Sequence, residues 1–168
     1  IYPQAKENVK AIADYIKSNQ VFLPNGDRLS IRRFQQLGLN LGFSDGMPTL
    51  NFLFEKGLIN RHLSYSFLKN ILSMQTFDTN PIFTILHEAC YAQGFSTNWS
   101  AQRILEEFPI FSENNENVYL TGEMLFPWML DDYQELTPFK AAANILSKKK
   151  NWPHLYDSNI LAKNKVPI

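Results

Sequence analysis

One cysteine, Cys90, is all the sequence holds, so no internal disulfide can staple the fold. Nothing in the 168 residues resembles a secretory leader, and no apolar run approaches the roughly 20 residues that span a bilayer. A reducing, cytoplasmic setting fits those absences. Net charge is missing too: 16 Lys+Arg balance 16 Asp+Glu, leaving no field to recruit nucleic acid or an anionic membrane. Neither partner is expected. Strand-rich periodicity, internal repeats and low-complexity tracts are also lacking, and so are the motifs of several chemistries. There is no G-x-S-x-G nucleophile elbow, no H-E-x-x-H, no paired-cysteine spacing and no phosphate-cradling glycine loop. His62, His87 and His154 lie scattered and are expected as surface or hydrogen-bonded histidines. No catalytic triad, metal or cofactor is expected in this chain. Cys90 falls within a helical pattern and is expected as a small buried hydrophobe.

What is present is apolar and aromatic. Hydrophobic residues make up 45% and aromatics 14%, which argues for a packed globule. The spacing is helical throughout. Residues 3–18 place Val9, Ile12 and Ile16 on one face, and Val21–Leu23 and Arg28–Ser30 flank Pro24-Asn25-Gly26-Asp27 as a small hairpin. Ser30 caps a helix over 31–41 with Ile31, Phe34, Leu37 and Leu41 inward. Leu50, Leu53 and Phe54 form the next stripe, broken at Gly57. Ser64 opens a helix through Phe67, Leu68, Ile71, Leu72 and Gln75. Thr97 or Asn98 caps another through Arg103, closed by Phe108-Pro109. Residues 112–117 are loop and 118–120 extended, with a helix around Pro127–Asp132. Thr137-Pro138 starts the last long helix, with Phe139, Ala142, Ala143, Ile145 and Leu146 on its face. Lys148-Lys149-Lys150 follows that helix's end, where cations complement the dipole, and Asp157 caps a short helix over 158–163. The expectation is a mainly α fold of short helices with one small hairpin, a single domain over 1–168.

The organising stretch runs from Asn80 to Gly94. Asn80 is a good N-cap, Pro81 suits the first helical position, and Gly94 suits a left-handed residue beyond the end, so a helix from Pro81 to about Gln93 is expected. Ile82, Leu86, Ala89 and Gln93 share one stripe; Thr84, His87, Glu88 and Tyr91 share another arc. Glu88 is thus a carboxylate among a hydroxyl, an imidazole and a phenol. Such a group suits a substrate's positive charge, although a solvated glutamate on an outward helix face is the commoner case.

The run DTNPIFTILHEACYAQG with the following STNWSAQRI resembles the cap-domain segment of bacterial prolyl aminopeptidases (proline iminopeptidases) of the α/β-hydrolase superfamily. VFLPNGDRLSIRRFQQLGLNLG at 21–42, LTGEMLFPWML at 120–130 and the terminal WPHLYDSNILAKNKVPI match in the family's order. The resemblance implies a helical cap inserted into, and here separate from, a catalytic domain that supplies Ser, Asp and His. It also implies that this chain alone is inactive and that the whole enzyme releases N-terminal proline from peptides. The chain starts at Ile1 and ends on Val166-Pro167-Ile168, an apolar tail suited to begin a strand, and a piece of a longer protein is expected. By the same resemblance Glu88, in HEACY, holds the substrate's α-amine, with Glu123, in LTGEMLFPW, as second carboxylate. Phe83, Tyr91, Trp99, Phe126 and Trp128 are the aromatic candidates for the proline pocket. Expected partners are a peptide with a free N-terminal proline, the enzyme's own catalytic domain and, for an isolated cap, a second copy. Two other readings remain at this point: a stand-alone helical interaction domain, and the cap of a tripeptidyl aminopeptidase or epoxide hydrolase.

Overall fold

The protein is described here by a computed structural model covering residues 1–166; the expected strand start at Val166-Pro167-Ile168 falls largely outside the described residues. Helix α1 (Ala5–Ser18) buries Ile12 and Ile16 as its periodicity requires. After it, Val21–Ser30 doubles back around Gly26, whose φ of 92° only glycine adopts freely, but pairs by a single bridge, Phe22 with Arg28. The one two-stranded ladder among the described residues lies elsewhere, β1 (Leu58–Ile59) against β2 (His62–Leu63). Its turn is made by Asn60 and Arg61, both at positive φ, so no glycine marks it in the sequence.

Ser30 caps α2 (Ile31–Gln35) by accepting from the Arg33 N–H. The chain then tightens into a 3₁₀ turn, Gln36–Gly42, and leaves Leu41 exposed rather than inward. Helix α3 (Gly46–Glu55) contributes Leu50, Leu53 and Phe54, and α4 (Tyr65–Met74), capped by Ser64, contributes Phe67 and Ile71. Together with Phe34 and Leu37 these residues form the first apolar cluster, each large side chain worth about 1.5–3 kcal/mol on burial.

The second cluster collects Leu125, Phe126, Met129, Leu130, Tyr133, Leu136 and Ala143. It is built by α5 (Pro81–Leu86), α6 (Ser100–Leu105), α7 (Met129–Asp132) and α8 (Lys140–Ser147), with the short α9 (Ser158–Leu161) beyond, capped by Asp157. In α8 only Ala143 and Ser147 are buried, while Ile145 is exposed. A buried cation joins the two clusters. The Arg33 guanidinium pairs with Asp27 at 2.9 Å, donates to the Asp132 carbonyl at 2.8 Å and lies 3.7 Å from the centre of the Tyr133 ring. Gln75 closes the arrangement by donating to the Arg33 carbonyl at 2.7 Å.

Candidate functional site

Helix α5 ends at Leu86, not near Gln93, and the backbone tightens into a 3₁₀ turn over Glu88–Tyr91. Asn80 makes no side-chain cap, although Pro81 does hold the first position. Burial follows Phe83, Thr84 and Ile85, so the expected stripe is displaced: Ile82 is 62% exposed and Leu86 lies at the surface. Cys90, turned outward by the tightening, is exposed rather than buried. Gly94 takes the left-handed φ expected of it, 76°, and its N–H donates to the Trp152 carbonyl.

The break at His87 aims Glu88 at the start of α6. Its two carboxylate oxygens accept the Ser100 N–H at 3.0 Å and the Ala101 N–H at 2.8 Å. Neither Thr97 nor Asn98 caps this helix; Trp99 is its N-cap, without a side-chain bond, and Asn98 and Trp99 both stand at positive φ. A distant carboxylate thus replaces the local cap that the sequence pattern suggests. Each oxygen retains a further acceptor site, because an ionised carboxylate offers about four.

Glu88 lines an open hollow of about 260 Å³ together with His87, Tyr91, Phe95, Leu125 and Glu123. Two carboxylates 35 positions apart in sequence therefore border one space. Tyr91 and Phe95, 72% and 53% exposed, form its aromatic side, and Phe83, His87 and Tyr91 follow one another four residues apart, the first pair of rings tilted and the second edge-on. Phe83 is otherwise core, lying parallel to Phe77. Trp99 packs on the second cluster and, with Glu88, lines a separate small cavity. Phe126, 2% exposed, is stacked on Trp128, which also carries the Arg32 guanidinium at 4.6 Å from its ring centre. Neither borders the hollow. Of the seven residues singled out in the sequence, the structure brings Glu88, Glu123 and Tyr91 together there. His87 and Phe95 add to the lining, and both sit within or beside the matched run, the sequence signal that points to them.

Glu123 comes from a stretch with no helix or strand of its own. Residues 118–125 cross from the first cluster to the second, and their backbone is held from outside: the Thr121 N–H donates to the Gln35 carbonyl and the Gln35 amide reaches the Phe111 and Tyr119 carbonyls. Gln36 donates to the Met124 carbonyl at 2.9 Å and accepts the Tyr133 hydroxyl at 2.9 Å. Burial pushes the Tyr133 phenol well above the ordinary tyrosine range, against the pull of Arg33, so it stays a donor.

Two curated relatives match nearly the whole chain. A proline iminopeptidase of Aeromonas sobria is 41% identical over 168 residues, 99% of this chain. The proline iminopeptidase aneH of Aspergillus aculeatus is 33% identical over 177 residues, again 99% of this chain. The chain spans only 40% and 38% of their lengths, respectively. No family model matches the sequence. Along its length the chain is related to a part of proline iminopeptidases.

Proposed function

We propose that this chain is the substrate-recognition cap of a proline iminopeptidase, whose Ser, Asp and His reside in the remainder of the enzyme. The observation that carries the reading is the shared hollow: Glu88 and Glu123 border one space beside Tyr91 and Phe95, in a chain related to these peptidases. An N-terminal proline presents a secondary ammonium with two N–H donors on an apolar ring. Two carboxylates match the donors, and an aromatic wall matches the ring. Pairing offsets the cost of taking the ammonium out of water, so a peptide with a blocked amine leaves both carboxylates without a cationic partner and is rejected. The backbone bonds that Glu88 accepts fix its orientation before substrate arrives, which lowers the ordering cost of binding. Peptide-bond cleavage then belongs to a serine nucleophile and oxyanion hole elsewhere in the enzyme. This chain on its own releases no proline.

The test is made in the full-length enzyme with a chromogenic prolyl amide. Glu88→Gln and Glu123→Gln each raise KM by roughly tenfold or more, the size of one lost charge-assisted contact, and leave the serine reactive to small acylating agents. Unchanged KM values in both variants would reject the reading.

A further inference from the structure

We infer that Gln36 is a positioning residue for Glu123, setting the width of the hollow from the opposite cluster; the inference rests on the binding role proposed for Glu123. Residues 121–124 have no ladder or helix to fix them, so their path is set by groups outside the segment. Gln36 is buried, and its amide is fully used: Nε2 donates to the Met124 carbonyl at 2.9 Å and touches the Met129 sulfur at 3.5 Å, while Oε1 accepts the Tyr133 hydroxyl. The tether therefore attaches one residue beyond Glu123. Two residues along, Gly38 supports the same segment, since a Cβ there would come within 2.0 Å of the Thr121 carbonyl oxygen. Behind Glu123 lies a second space of about 20 Å³, lined by Gln36, Gly122, Glu123, Tyr133 and Phe83. Glu88 is fixed separately by α6, so loss of the tether changes the spacing of the two carboxylates rather than moving both.

The full-length enzyme tests this with a prolyl amide. Gln36→Met keeps the shape and removes both amide hydrogen bonds, to the Met124 carbonyl and from the Tyr133 hydroxyl; loss of the first is expected to raise KM roughly three- to tenfold with kcat within about twofold. Tyr133→Phe leaves the Met124 tether in place and is expected to hold KM within about twofold. Combining Gln36→Met with Glu123→Gln is expected to raise KM no further than Glu123→Gln alone, because a residue acting through another shows no independent effect. Additive effects in that double variant, or a Tyr133→Phe defect equal to that of Gln36→Met, would overturn the inference. Should Gln36→Met fail to fold because the buried Tyr133 hydroxyl loses its acceptor, Gln36→Met combined with Tyr133→Phe replaces it, removing both partners of that bond together with the tether. If Glu123→Gln alone leaves KM unchanged, the premise about Glu123 has failed; a Glu123→Gln defect beside an unaffected Gln36→Met overturns the tether alone.

Discussion

Arg33 shows how a single residue ties the molecule together. It is fully buried, and each partner it touches comes from a different stretch: Asp27 from the first turn, Gln75 from the end of α4, Asp132 and Tyr133 from α7 and its exit. A buried ion pair adds little net stability, but removing one partner strands the other charge. Arg33→Leu is therefore expected to cost about 3–5 kcal/mol, and Arg33→Leu with Asp27→Asn to recover a substantial part of that loss, as read by denaturant melts. Equal losses in both would show that the pairing is not what matters. Nothing in RRF distinguishes Arg33 from Arg32, which is half-exposed and bonds Asp132 from outside. Its burial depends on which way α2 rolls, a tertiary outcome that residue type does not encode.

Among the elements, those with local signals were legible and those set by distant contacts were not. Ser30, Ser64 and Asp157 each cap the helix expected of them, since the side chain bonds a backbone N–H two or three positions on. Helix α6 departs from that rule because its cap, Glu88, arrives from 12 and 13 residues away. The ladder at 58–63 carries no sequence signal for a related reason: Asn60 and Arg61 turn it without glycine. At the site, the matched runs point to seven residues, of which Glu88, Glu123 and Tyr91 border the hollow and Phe83, Trp99, Phe126 and Trp128 do not, whereas the tether through Gln36 leaves no trace in the pattern. The capping role carries its own expectation. Glu88→Gln has one acceptor oxygen in place of two, so α6 should fray and the Ser100 and Ala101 amides should exchange faster by about fivefold, consistent with a cap worth about 1 kcal/mol. Unchanged exchange would mean that those bonds do not hold the helix.

The whole molecule is mainly α, as its periodicity implies, with two apolar clusters joined through Arg33 and bridged by residues 118–125. It also carries a broad apolar groove of about 790 Å³ between α1, α3 and residues 117–120, bordered by Val9, Leu41, Met47, Phe54 and Tyr119. Apolar surface of that extent seeks a partner. The isolated 168-residue chain is expected to self-associate with rising concentration, and light scattering that reports only monomer would contradict this. Whether the hollow holds the substrate amine is decided by the structure of the full-length enzyme with free proline bound. The proline nitrogen is expected within about 3.2 Å of carboxylate oxygens of both Glu88 and Glu123, with the ring against Tyr91 or Phe95. A proline whose nitrogen is held elsewhere, with both carboxylates facing solvent, would contradict it.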